Sequence, residues 1–154
     1  MGGAIHPRRG VIVTKNHVLS DLQLAFIGAG AMGEAMIAGL LSRHDLEPAH
    51  IVASDRHRER LDALRETLRI DVTLDNGVAA GKGQVVVIAV KPQVLPTVLD
   101  DLRGRIDKDA LVLSIVAGAT IESLAVGLQH RAIVRTMPNT PAQVGEGMTV
   151  WTAT

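Results

Sequence analysis

A chain of 154 residues, 47% of them hydrophobic, suits one domain with a real core. The 16 Lys plus Arg balance the 16 Asp plus Glu, and this zero net charge excludes nucleic acid as the main partner, since phosphate binding needs a basic face. The absence of cysteine excludes disulfides, cysteine zinc sites and thiol nucleophiles and fits a cytoplasmic setting, and no apolar run approaches the ~20 residues of a membrane span, so no membrane partner is expected.

Residues 1–21 mix Gly, Pro, Arg and His around a short apolar run, Val11 to Val13. The run is too short for a signal-peptide core, and the segment reads as a disordered N-terminal extension. From residue 22 to residue 154 short β-type runs alternate with amphipathic helical segments, as one domain. Strands are expected at 22–27, 51–54, 72–74, 85–90, 111–115 and 132–136, with a last one at 148–152, antiparallel at an edge. Helices are expected at 31–43, 56–68, 77–80, 94–103 and 121–127. Runs such as VVVIAV and LVLSIV are apolar throughout, as parallel strands covered on both faces must be. The fold class is therefore α/β, a Rossmann-like, doubly wound, mostly parallel sheet with helices on both faces. With one Trp, one Phe and no Tyr, its core must be built from Val, Leu, Ile, Ala and Met.

Between the first strand and the first helix stands FIGAGAMGEAMIAGL, in which Gly28, Gly30 and Gly33 form G-x-G-x-x-G. Alone the pattern is weak. Here it follows an apolar strand and opens a helix with Met32, Met36, Ile37, Leu40 and Leu41 at apolar positions. An acid, Asp55, follows at the end of the next strand, the context of a dinucleotide fingerprint. Gly28 permits the tight turn, Gly30 lets the backbone approach a pyrophosphate, and Gly33 lets the helix pack on the strand. The free N–H groups and positive dipole end of that helix face the phosphates. Asp55 is the type of residue that hydrogen-bonds the ribose of NAD(H), whereas Ser54, Arg56 and Arg58 suit a 2′-phosphate. The preference between NADP(H) and NAD(H) stays open on sequence.

Further along, Asn76 follows the third strand, as a helix N-cap or at the ligand edge. AVKPQVLP ends a buried strand with Lys91 and Pro92, at the carboxyl edge where open α/β sheets bind ligands. SIVAGAT ends another strand in small residues that admit a flat ring, and RTMPNTP presents Asn139 and Thr140 at the same edge. The histidines lack metal-ligand spacing, so no metal site is expected, and most should face solvent. Neither G-x-S-x-G nor a Walker P-loop occurs.

Taken in order, FIGAGAMGEAMIAGL, AVKPQ, SIVAGATI and VRTMPNTPAQVGEGMT closely resemble the Δ1-pyrroline-5-carboxylate reductases, from about residue 22 to residue 154. The last of these segments is the most specific. The resemblance implies a small-molecule substrate, pyrroline-5-carboxylate, reduced to L-proline by hydride from C4 of a nicotinamide, in proline biosynthesis. It also implies site residues. Ile27, Gly28, Ala29, Gly30, Ala31, Met32 and Gly33 would hold the pyrophosphate. Ser54, Asp55 and Arg56 would meet the adenosine ribose or its phosphate, and Asn76 the adenosine side. Ala89, Val90, Lys91 and Pro92 would line the cofactor path. Ile115, Val116 and Ala117 would lie near the nicotinamide, and Asn139 near the reaction centre.

Two departures from the family pattern shape the expectation. Position 55 is often uncharged in the family. The sequence also stops at Thr154, before the family's helical C-terminal domain, which forms the dimer and holds the substrate carboxylate. The chain alone is therefore expected to bind a dinucleotide and to catalyse poorly or not at all, with a homo-oligomer only where that domain exists. The rival readings are a non-catalytic dinucleotide-binding module or truncated relic, and another Rossmann reductase of the 3-hydroxyacid dehydrogenase or imine reductase type.

Overall fold

Seven strands line up in one sheet in the computed structural model, which describes residues 21–138 and 149–154. Residues 1–20 of the expected extension, and Asn139, lie outside the described residues. The strands are β1 (Leu24–Ile27), β2 (Ile51–Ser54), β3 (Asp71–Thr73), β4 (Val85–Ile88), β5 (Leu111–Ser114), β6 (Ile133–Pro138) and β7 (Thr149–Ala153). Their order is β3-β2-β1-β4-β5-β6-β7. Strands β1 to β6 run parallel, and β7 returns antiparallel along β6. The chain winds outward from β1 in one direction and from β4 in the other. The crevice beyond the carboxyl ends of β1 and β4 is thus a topological switch point, where such sheets bind ligands.

Successive strand residues point to opposite faces, and both faces are covered. Ala25, Ile27, Val52, Val86, Ile88 and Val112 pack beneath three helices, α3 (Asn76–Ala80), α4 (Leu95–Leu102) and α5 (Ile121–Leu128). Leu24, Phe26, Ile51, Ala53 and Val87 pack on the other side, against Ile37 of α1 (Ala31–Ser42) and Leu61 and Leu64 of α2 (Arg58–Leu68). This two-sided burial is why the strand sequences do not alternate. The single Phe, Phe26, is fully buried at the centre. Burying one Leu- or Phe-sized side chain contributes about 1.5–3 kcal/mol.

The elements stand close to their expected places, and the shifts have local causes. The second helix begins at Arg58 instead of residue 56, because the Asp55 carboxylate accepts from the His57 N–H at 3.0 Å and holds an Asx-type turn. The fourth strand ends at Ile88, although Ala89 still donates to the Ile27 carbonyl at 2.8 Å, and a tight turn at Pro92–Val94 leads into α4. The last helix runs one residue past Gly127, stopping where Gln129 takes a left-handed conformation (φ 53°). Gly127 serves packing instead: a Cβ there would lie 2.7 Å from Leu99 Cδ1, where α5 meets α4. Thr120 and Ser123 close a reciprocal cap at the start of α5.

Candidate functional site

The three glycines of the first turn differ in what the fold asks of them. Gly28 has φ +92°, which an L side chain rarely adopts, and a Cβ would stand 2.7 Å from Val90 Cγ1 and 2.9 Å from the Ala89 carbonyl oxygen. At Gly33 a Cβ would stand 2.6 Å from the Gly28 carbonyl oxygen, so this glycine sets how closely α1 approaches the turn. Gly30 is under no such demand. Its backbone is ordinary (φ −67°, ψ −178°), and the nearest atom to a built Cβ is Arg60 Nη1 at 3.8 Å. The protein itself has room for a side chain at residue 30, and the sequence leaves that room empty. A glycine with open space at a loop of this kind leaves the backbone accessible to close approach by another group. Gly30 is also the N-cap of α1 and carries no capping side chain, so the first-turn N–H groups point outward at the positive end of the helix.

Side chains from the end of β2 and the start of α2 hold this loop. The Ala29 N–H donates to Asp55 Oδ2 at 3.1 Å, and Arg60 Nη1 donates to the Ala29 carbonyl at 2.8 Å. Gly28 N–H donates to the Ser54 carbonyl at 2.9 Å. Burial pulls the Asp55 carboxyl upward, but donors from the His57 N–H and ring and from the Ala29 N–H outweigh it. The net effect holds the group below its ordinary value, so it is ionised at neutral pH.

The loop opens on a cleft of about 760 Å³ at the switch point. Gly28, Gly30, Ala31, Asp55, Arg56, Asn76, Ala89, Val90 and Lys91 line it, which brings together nine of the residues singled out from the sequence. Others stand behind it. Ile27 and Ala29 are buried beneath the turn, and Gly33 within the helix contact. Ser54 is fully buried, and its hydroxyl donates to Asn76 Oδ1 at 2.9 Å, so it acts on the cleft through Asn76. Asn76 Nδ2 in turn donates to Asp101 Oδ2 at 3.1 Å, which fixes the amide from both ends. The N-cap of α3 is Asp75 and not Asn76: its carboxylate accepts from the Gly77 and Val78 N–H groups, so the Asn76 side chain is not spent on capping and lines the cleft. Met32 and Pro92 flank the cleft without lining it. Ile115, Val116 and Ala117 lie beyond β5, with the Val116 side chain in the core and Ala117 exposed.

Sequence reasoning missed His57, Arg60, Val94, Thr97, Val98 and Asp101, which also line the cleft. The four on and before α4, Val94, Thr97, Val98 and Asp101, fall at helical spacing as a mixed apolar and polar stripe of which only Val98 is buried, and such a stripe carries no motif in the sequence. Among the described residues no group of three or more His, Asp or Glu gathers as for a metal ion, and no helix is long and apolar enough to cross a membrane.

A doubly wound parallel sheet whose glycine turn and helix start open on the switch-point cleft is a Rossmann-like domain. The chain belongs to the family described as NADP oxidoreductase, coenzyme F420-dependent, which matches residues 23–118. It is 43% identical over 129 residues to the pyrroline-5-carboxylate reductase of Synechocystis sp., covering 84% of this chain and 48% of that one. To the Escherichia coli enzyme of the same name it is 37% identical over 130 residues, with the same coverage. Among solved structures it is similar to a pyrroline-5-carboxylate reductase from Coxiella burnetii, with TM-score 0.82, 33% identity and coverage of 88% and 50%. It is also similar to the Plasmodium falciparum pyrroline carboxylate reductase solved with NADP bound, with TM-score 0.76, 25% identity and coverage of 88% and 49%. The chain thus spans about half the length of the relatives it matches.

Proposed function

We propose that the cleft binds a reduced nicotinamide dinucleotide, NADPH or NADH, and that the chain is the dinucleotide-binding portion of a pyrroline-5-carboxylate reductase. The observation that carries the first part is the contrast among the glycines: the fold itself accounts for Gly28 and Gly33 but not for Gly30. The names of the relatives, at 43% and 37% identity, support the second. When bound, the dinucleotide supplies the hydride that reduces the cyclic imine to L-proline.

The chain's own residues bind and orient. The backbone at Gly30 to Met32 approaches the pyrophosphate, and the start of α1 offsets its charge. Asn76, fixed by Ser54 and Asp101, faces the adenosine side. Ala89, Val90 and Lys91 form the wall beyond β4 along which the dinucleotide runs. Ile115 to Ala117 offer small groups and backbone to the nicotinamide, and Asn139 belongs to the same edge by sequence. A cytoplasmic location belongs to the same reading, and a homo-oligomer does only where the helical C-terminal domain is present.

Titration of the chain with NADPH and NADH, with and without pyrroline-5-carboxylate, tests it. Saturable binding of at least one dinucleotide is expected, and binding of neither overturns the reading. For the substrate, L-proline formation is the decisive product assay. Turnover of a hydroxy acid and none of the imine would assign the domain to another reductase.

A further inference from the structure

Asp55 stands where the acid of a dinucleotide fold meets the ribose hydroxyls. Its carboxylate, however, is occupied from inside the protein. Oδ1 accepts from the His57 N–H at 3.0 Å and lies 2.8 Å from His57 Nδ1, and Oδ2 accepts from the Ala29 N–H at 3.1 Å. The side chain keeps only 13% of its exposure. Donors around it are in surplus. Arg56, His57 and Arg60 all line this end of the cleft. Arg60 uses Nη1 on the Ala29 carbonyl, and a guanidinium carries five N–H donors. Among the described residues neither Arg56 nor Arg60 has a carboxylate within ion-pair distance. The other acid of the cleft, Asp101, has Oδ2 engaged by Asn76. A ribose hydroxyl seeking an acceptor finds those here largely taken. A ligand group rich in acceptors and negative charge finds two guanidinium groups that, among the described residues, have no carboxylate partner, with Arg60 tied only through Nη1 to the Ala29 carbonyl.

Building on the dinucleotide reading above, we propose that Asp55 is a positioning residue that fixes the glycine-rich loop through Ala29, while Arg60 together with Arg56 seats a 2′-phosphate and makes NADPH the preferred dinucleotide. The sequence position of Asp55 points to NADH, and the geometry reverses that. Asp55 and Arg60 grip the N–H and the carbonyl of the same residue, so one pair of side chains sets the loop and borders the Gly30 vacancy. The loop then presents its amides to the pyrophosphate, which NADH and NADPH share. The guanidinium groups meet what only NADPH carries.

The test is a fluorescence titration of the full chain with NADPH and NADH, plus competition by adenosine 2′-monophosphate. It compares the wild type with Arg60→Gln, Arg60→Lys and Asp55→Asn, each checked for folding by thermal melting. The wild type should favour NADPH over NADH by about tenfold or more, the scale of one hydrogen bond to a charged group. Arg60→Gln should collapse that ratio and abolish competition by the adenosine monophosphate, and Arg60→Lys should keep part of both. Asp55→Asn should weaken NADPH and NADH by the same factor yet leave the monophosphate competing as before, whereas general damage to the fold would weaken all three. Equal binding of NADH and NADPH by the wild type overturns the proposal. So does an Asp55→Asn variant that loses NADH alone, or an Arg60→Gln variant that keeps the wild-type ratio. Binding of neither dinucleotide by the wild type overturns the dinucleotide reading itself.

Discussion

Replacing Gly30 by alanine separates the demands of the fold from those of a ligand. In the free protein the added Cβ meets nothing closer than Arg60 Nη1, 3.8 Å away, which is ordinary contact, and φ stays at −67°. Alanine also restricts the unfolded chain, so Gly30→Ala should leave stability unchanged or raise it by about 0.4–1 kcal/mol. For a domain of this size that is a gain of at most about 2–4 °C in Tm. The dinucleotide meets the opposite effect, because the methyl group fills the space against which the pyrophosphate would press. Losing even one hydrogen bond to a charged phosphate costs about 1.5–3 kcal/mol, or roughly 10- to 150-fold in Kd. Gly28→Ala provides the contrast: with φ +92° and a Val90 Cγ1 contact of 2.7 Å, it should destabilise the free protein by about 2 kcal/mol or more. Differential scanning fluorimetry without ligand and a fluorescence titration with NADPH read both quantities. A Gly30→Ala variant that binds NADPH like the wild type would refute the reasoning, and so would one that melts well below it.

The other predictions concern the residues around the cleft and one helix cap. The Asp55 carboxyl is held below its ordinary value of 3.8, so the unfolded chain binds that proton more readily than the folded one. Its contribution to stability is therefore present above pH 3.8 and lost as pH falls through the folded value, and Asp55→Asn should flatten that acid limb in a Tm-against-pH series. Equal slopes in the two proteins would contradict the assignment. Ser54→Ala leaves Asn76 Oδ1 without its buried donor. It should cost about 1 kcal/mol in chemical denaturation and weaken dinucleotide binding, and unchanged binding would detach Ser54 and Asn76 from the site. Thr120→Ala removes half of the reciprocal cap on α5 and should cost about 1 kcal/mol by the same denaturation measurement.

Much of this architecture was legible in the sequence because period and punctuation agree along the chain. Apolar runs without alternation announced strands covered on both faces, and Val86, Val87 and Ile88 are buried from opposite sides. The glycine spacing placed the turn, and Asp55 arrived where the motif requires an acid. What the sequence could not show is which groups approach from elsewhere in the fold. The motif gives the position of Asp55, but its role depends on the Ala29 N–H, which arrives from the turn after β1. Arg60 belongs to no motif in the sequence, and only the packing of α2 sets it beside Gly30. Ser54 read as a ligand group, yet its strand buries it completely. His130 departs from the solvent exposure expected of most histidines: it is buried, with its ring nitrogen 2.7 Å from the Ala110 carbonyl oxygen. The lone Trp151 ends on the edge strand β7, 69% exposed, a position its neighbours in sequence do not reveal.

The central claim is that the cleft beyond β1 and β4 seats a dinucleotide. Its most direct test is an NMR titration of the isotope-labelled chain with NADPH, following the backbone amides. Saturable shifts at Gly28 to Gly33, at Asp55 to Arg60 and at Asn76 are the predicted result. Saturation with no shift at the glycine turn, or shifts confined to the opposite edge of the sheet around Lys82 and Asp107, would contradict it.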